Sequence, residues 1–368
     1  MDNSNFLSII TYSLIVIVVP FVLYVCSKLD TSKKRIFGYI IVIGIATLVP
    51  AFRDTTGTDS RMYKSLFFTG NPGFNRWVSI EKGYMAINNI SSRIMPYWLF
   101  LFIINFFIIF LIVLALDKYY RNIINFYISF LILYSGIYYQ SFNIMRQCIA
   151  LAFCFVAIVF FVHDRLLFSF LLILFASIFH YSALICLLIY LAKPLYNNRF
   201  RTIFIILSAV IVLVLITNRD LFGQLILKIT GNSYYAGYVT RDSFSGGRII
   251  TYFVKIFPIL LISIVNYKNI KREKNMTVLF GLMLIGYLVS ALGSVLDTQV
   301  GRIGLYFTSL NIIILGFCGS QDISIKGTSI VISKDIMASI IIMYYMINFV
   351  ISICIQGYGE LLPYVPFM

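Results

Sequence analysis

Continuous apolar runs, broken by short polar connections, repeat along the whole chain. Twelve stand out, at about 6–26, 36–52, 97–116, 123–139, 142–162, 166–180, 181–192, 202–217, 249–267, 276–296, 303–319 and 336–355. Most are roughly 17–22 residues long, the length an α-helix needs to cross the hydrocarbon core. The runs do not alternate with polar residues, so they predict helices and not the strands of a barrel. The sixth and seventh are short and predict a broken pair that turns around inside the membrane. The pattern predicts an all-α, polytopic transmembrane helical bundle of about 12 spans. It forms one membrane domain over 1–368, without internal repeats or a linker to a soluble domain.

Composition strengthens that reading. The chain is 60% hydrophobic and 12% charged, against about 45–50% and about 25% in soluble domains. Many of its 26 tyrosines fall near the ends of apolar runs, as in the aromatic belts of bilayer proteins. The run at 6–26 has no basic segment before it and no small-residue cleavage site after it, so it reads as a span rather than a cleaved signal. The six cysteines all fall in apolar segments without a Cys-x-x-Cys pair and read as packing residues.

The net charge of +15 changes the picture by its distribution. Most basic residues flank apolar runs, which membrane topology explains better than a nucleic-acid partner. With Lys28–Arg35 inside, the inner connections hold ten Lys and six Arg, and both termini lie outside. The outer set is Arg53, Arg61, Lys64, Arg76, Lys82, Arg93, Arg146, Arg219, Lys228, Arg241, Arg248 and Arg302. Topology has no use for arginine outside, whereas guanidinium is a good bidentate partner for phosphate and carboxylate. The outer face therefore reads as built to hold an anion; salt bridges to outer acids are the alternative. Outer loops at about 53–96 and 218–248 mix aromatics with polar residues and predict short interfacial helices.

Four outward constellations carry candidate chemistry. Asn143, Arg146, Gln147 and Ala150 are spaced i, i+3, i+4, i+7 and would share one helix face. Polar groups at membrane depth mark a ligand path by default; the bland reading is an arginine snorkelling to the headgroups. His180 lies between two short runs, where a break would put its imidazole at a cavity tip as base or phosphate donor. A packing histidine is the alternative, and His163 reads as solvated. In the stretch from Arg53 to Tyr63, Gly57 permits a tight turn and Asp59 either caps the next helix or serves the site. Glu81 could pair with an arginine or act as a catalytic carboxylate. Arg302 enters its run from outside as Arg146 does, so the two could converge on one diphosphate. The sequence has no metal-ligand motif and no phosphate-binding Gly-rich loop, which argues against a nucleotide-dependent enzyme of the cytosolic type.

Taken together, Arg53…Gly57-Thr58-Asp59…Tyr63, Glu81-x-Gly83-Tyr84, Phe142-Asn143-x-x-Arg146-Gln147-x-x-Ala150, Phe179-His180-x-Ser182-Ala183 and Arg302-x-x-x-Tyr306-Phe307 resemble the EpsG-like family of Wzy-type polysaccharide (O-antigen) polymerases. The resemblance implies a GT-C-like membrane glycosyltransferase in the bacterial inner membrane, working on its periplasmic face without cofactor or metal. Such an enzyme joins oligosaccharide repeat units carried on undecaprenyl diphosphate, and undecaprenyl diphosphate leaves. The partners implied are lipid-linked glycan substrates and membrane lipid, with a chain-length regulator and a flippase alongside, and no nucleic acid. Under this reading Arg146 and Arg302, with Arg53, hold the departing diphosphate. Gln147 and Asn143 orient oxygens, and Tyr63 and Tyr306 belong to the substrate site. The base comes from His180, Glu81 or Asp59, in that order. The competing readings are a lipid-linked oligosaccharide flippase or transporter and an O-antigen ligase, with a membrane O-acetyltransferase weaker.

Overall fold

The computed structural model describes residues 3–71, 80–196, 246–295, 298–324 and 331–366, with isolated positions between 203 and 228. Nearly all of the run at 202–217 and of the outer loop at 218–248 lies outside the described residues, as does Arg76.

Helices α1 (Asn3–Ser27) and α2 (Ser32–Ala51) are followed by two short ones, α3 (Ser60–Thr69) and α4 (Lys82–Ile94), in the connection that the sequence predicts to lie outside. Then come α5 (Tyr97–Tyr119), α6 (Phe126–Ser135), α7 (Ile137–Gln140), α8 (Met145–Val162), α9 (Leu166–Phe179) and a 3₁₀ helix, Tyr181–Tyr196. The second part holds α10 (Gly246–Val265), α11 (Tyr267–Arg272), α12 (Lys274–Val295), α13 (Thr298–Gly301), α14 (Leu305–Thr308), α15 (Asn311–Cys318) and α16 (Lys334–Phe349). A π-helical turn, Val350–Ile355, extends α16. The described strands are β1 (Ile323–Ser324) and β2 (Val331–Ile332), an antiparallel pair.

Six described helices are long and apolar enough to cross a bilayer: α1, α2, α5, α8, α12 and α16 with its extension. A seventh span is bent by 46° between Gln299–Thr308 and Asn311–Cys318, within the run at 303–319. Three shorter apolar helices occur at Leu166–Phe179, Tyr181–Leu191 and Ile250–Val265. The protein is therefore embedded in the membrane. The run at 123–139 is likewise broken, at Gly136, where α6 ends and α7 begins. Helix α8 is central, with 83% of its span buried against 28% for α16. It packs on α5, α9 and the 3₁₀ helix.

The two ends of the bundle differ in chemistry. At one end the connections after α1, α5, α8, α11 and α15 come together: Asn125 N–H donates to the Gly316 carbonyl at 2.8 Å, and Asn269 Nδ2 to the Asp322 carbonyl at 3.1 Å. This end carries Lys28, Arg121 and Lys334 around a cleft of about 440 Å³. It is fastened by a buried pair in which Arg35 Nε and Nη2 donate to the two oxygens of Asp117 at 2.9 and 3.2 Å, with Tyr39 Oη on the same carboxylate at 2.9 Å. His163 is at this end and is not solvated as the sequence suggested. Its ring packs 4.4 Å from that of Tyr119, centroid to centroid, and Nδ1 lies 2.8 Å from the Val159 carbonyl.

At the other end, the C-terminal segment 357–366 crosses the bundle as a strap. Asp54 N–H donates to the Val365 carbonyl at 2.7 Å, Val365 N–H to Thr56 Oγ1 at 2.7 Å, and Gly57 N–H to the Glu360 carbonyl at 3.0 Å. Tyr12 Oη reaches the Leu361 carbonyl at 2.9 Å, and Tyr364 N–H reaches Ser8 Oγ at 2.9 Å. Helix α1, the loop at 54–57 and segment 357–366 are thus tied together at this end of the bundle.

Candidate functional site

The strap end gathers the helix termini that carry the polar constellations. Met145 opens α8, so Arg146 and Gln147 sit in its first turn, where backbone N–H groups point outward. Asn143 precedes the helix and does not share its face with Arg146, contrary to the spacing argument, because the chain turns through 141–144 before α8 starts. Helix α9 stops at Phe179, and His180 is extended (φ −157°, ψ 117°), so the break expected between the short runs falls at the imidazole.

Glu81 is the hub. Its carboxylate is fully buried and takes two partners. Arg146 Nη1 donates to Oε2 at 2.5 Å, and His180 Nδ1 lies 2.6 Å from Oε1. An ionised carboxylate only accepts, so Nδ1 carries the proton and Nε2 of a neutral imidazole is left as the acceptor. Burial alone would raise the Glu81 pKa. The hydrogen bond and electrostatic attraction of the His180 ring, then the charge of Arg146, outweigh burial and hold the carboxyl below its usual range.

Helix α4 puts Glu81 there through Gly83. A Cβ at Gly83 would overlap Ile178 of α9, with the Ile178 carbonyl oxygen 2.6 Å away, so only glycine lets α4 and α9 approach this closely. Gly83→Ala is expected to separate Glu81 from His180. Overpacking costs about 1–3 kcal/mol, and misplacement by an ångström costs on the order of 100-fold in rate. Chain-length analysis of the surface glycan, beside a melting curve, checks both; wild-type polymer with a lowered melting temperature would show that the spacing matters for stability alone.

Asp59 feels the charges of Arg302, Arg146 and Arg53, in that order of strength. Burial raises its pKa more than these charges and a hydrogen bond with Thr58 lower it. Asp59 holds the N-cap position of α3 but makes no capping hydrogen bond; its ψ of 1° departs from the extended conformation of a capping residue. The cap reading of Asp59 is thus corrected. Gly57, at φ +102°, makes the turn before it and lies against Asn143 and Phe142.

The remaining candidates are spread around this hub. Tyr63 is buried, and its hydroxyl lies 3.5 Å from the Arg146 backbone nitrogen. Arg53 is 1% exposed, and its guanidinium carbon lies 4.8 Å from the centre of the Phe142 ring. None of its guanidinium nitrogens has a hydrogen-bond partner among the described residues. Burial pushes its pKa down, yet a guanidinium stays charged. Gln147 and Asn143 are engaged with backbone: Gln147 Nε2 donates to the Arg302 carbonyl at 2.7 Å and Asn143 Nδ2 to the Gly359 carbonyl at 3.0 Å. They tie α8 to the Arg302 segment and to the strap. Arg302 Nη1 donates to Gln299 Oε1 at 2.7 Å. Tyr306 is wholly buried with its hydroxyl 2.9 Å from Ser182 Oγ, which ties α14 to the start of the 3₁₀ helix.

A family model described as the EpsG family matches residues 35–365. The chain belongs to the EpsG family. EpsG-family members are Wzy-like polymerases, and membership points to a polymerase of surface polysaccharide. Neither the comparison with curated proteins nor that with solved structures returns a match. The EpsG match covers every residue of the hub and runs into the strap, whose part sequence reasoning missed. The signal was present in Gly357-Tyr358-Gly359, with Gly357 and Gly359 both at positive φ, and in Pro363 and Pro366.

Proposed function

We propose that this chain joins oligosaccharide repeat units carried on undecaprenyl diphosphate, on the periplasmic face of the bacterial inner membrane. The observation that carries the reading is the buried Glu81 carboxylate shared between Arg146 and His180. One carboxylate thereby positions an anion-holding group and a base together.

In the proposed reaction an acceptor hydroxyl attacks the anomeric carbon of the donor sugar. The new bond is that oxygen to C1, and the bond that breaks is C1 to the diphosphate oxygen. His180 Nε2 receives the hydroxyl proton, with Glu81 fixing the ring and stabilising the imidazolium. Negative charge grows on the departing diphosphate, and Arg146 and Arg302 stabilise it in a site largely closed to water. Arg53 adds buried positive charge behind them. Asp59 separates the arginines electrostatically until the diphosphate arrives.

Orientation follows from the Lys-rich opposite end, which the positive-inside rule assigns to the cytoplasm. An outward site has no nucleotide sugar to draw on, so the activated substrate is lipid-borne. A flippase would also present arginines to a diphosphate, but it has no need of a carboxylate–imidazole pair at one face.

The test is reconstitution. Purified protein with undecaprenyl-diphosphate-linked repeat unit should yield a ladder of products and free undecaprenyl diphosphate. No ladder, together with a deletion strain that lacks surface glycan instead of carrying single repeat units, would point to transport.

A further inference from the structure

Lys255 belongs to neither the inner nor the outer basic set. It lies within α10, about 14 Å of helix from the α10 start at Gly246. Its neighbours Phe253, Val254 and Phe257 are more than half exposed, as lipid-facing residues are. Lys255 itself is half-buried, and Nζ reaches Ser352 Oγ at 3.4 Å and Gln356 Oε1 at 3.3 Å. Among the described residues no carboxylate pairs with it. Its ammonium reaches Gln356 just past the end of the last span, at the strap end, where a long stem brings the charge to the level of lipid headgroups. The partner segment, Val350–Ile355, is π-helical, a geometry frequent at functional sites.

Two connections link this meeting of Lys255 with Ser352 and Gln356 to the Glu81 hub. Gln356 lies three residues before Gly359, whose carbonyl holds Asn143, and three residues span at most about 11 Å. On the other side Tyr252, one turn before Lys255, donates to the Tyr287 carbonyl at 2.6 Å, while Ser290 Oγ donates to the carbonyl of Gly301, next to Arg302.

The proposed reaction involves two lipid diphosphates, and only one leaves. The acceptor reacts through a sugar at the far end of its repeat unit, so its diphosphate must be held about one oligosaccharide length from the Arg146 hub, beside the lipid. We infer that the seam where Lys255 of α10 meets Ser352 and Gln356 is that second diphosphate site, with Lys255 as its cation. This rests on the reading of the substrates as lipid-linked diphosphates. A single ammonium suits a headgroup that is retained and later shifts; the arginine cluster suits one whose charge grows in the transition state. Phe253 and Phe257 offer an apolar rim for the prenyl chain.

The experiment is native mass spectrometry of the full chain in nanodiscs, titrated with undecaprenyl diphosphate. The wild type should bind two molecules. Lys255→Gln should weaken one of them about tenfold, Lys255→Arg less than about threefold, and Lys334→Ala, at the opposite end, neither. Phosphatidylglycerol and inorganic pyrophosphate are the competitors. Equal competition by the first would make the Lys255 seam an ordinary lipid site, and by the second a free-anion site; either overturns the inference. So does a single bound molecule in the wild type, or unchanged binding in Lys255→Gln. In the polymerisation assay Lys255→Gln should act on KM for the lipid-linked unit rather than on kcat. If the wild type makes no polymer while the binding results hold, the polymerase reading fails and the second site stands.

Discussion

Replacing Arg146 by alanine is expected to abolish long-chain surface polysaccharide and to slow polymerisation in vitro on the order of 100–1,000-fold. That is the scale for losing one positioned donor to a developing negative charge. The substitution also strands Glu81, a fully buried carboxylate, with His180 alone. Breaking a buried pair from one side costs about 3–5 kcal/mol, so the single variant could lose activity by failing to fold. The double variant Arg146→Ala/Glu81→Ala tests the folding cause alone: it removes the stranded charge, so expression and melting temperature should recover. Polymer is read in the single variant at matched protein level, because Glu81 itself belongs to the site. Normal polymer length in Arg146→Ala cells with wild-type protein levels would refute the role assigned to Arg146.

The second large effect is expected at the Glu81–His180 pair. Glu81→Gln keeps the shape of the side chain but no longer holds the proton on His180 Nδ1, so Nε2 is no longer secured as the acceptor. The rate should fall on the order of 10²–10⁴-fold, with His180→Ala in the same range. A readout tied to folding accompanies this. The folded-state pKa of Glu81 lies below its ordinary 4.5. A carboxyl depressed by folding contributes stability that is present above 4.5 and is lost as the pH falls through the lowered value. Wild-type melting temperature should therefore drop below pH 4.5 more steeply than that of Glu81→Gln. Asp59 is shifted upward, so its contribution has the opposite sign: present at low pH and lost as the pH rises through its folded value. Parallel melting curves for wild type and Glu81→Gln would mean that the carboxylate is not held by its partners.

Hydropathy made the long helices legible because lipid demands continuous apolar length. It did not reveal the breaks at Gly136 and at Ser309–Leu310, where every residue around the bend is still compatible with an apolar run. The hub was readable as residue types, since Arg146, Glu81 and His180 each stood out against apolar surroundings. Glu81 was readable as the partner of an arginine, but its joining to His180 was not, because the two are 99 residues apart and meet through the glycine-dependent contact of α4 with α9. Gln147 and Asn143 looked like ligand groups for the same reason that they work as ties: a buried amide must find a partner, and the sequence does not say whether that partner is substrate or backbone. The strap escaped notice because its partners lie some 300 residues earlier.

The strap also bears on the order of synthesis. Helices enter the membrane as the chain is made, so Arg53, Glu81, Arg146, His180 and Arg302 are all inserted before residues 357–366 emerge. Until then Asn143 has no Gly359 carbonyl to hold, and Arg53 lacks the segment that crosses its loop. A chain arrested after α15 would carry the whole charged cluster with its roof missing. Assembly of this site is therefore late relative to its charged residues: residues 357–366 follow all of them in the chain, and the ties to Asn143 and to the loop of Arg53 close only when that segment has been made.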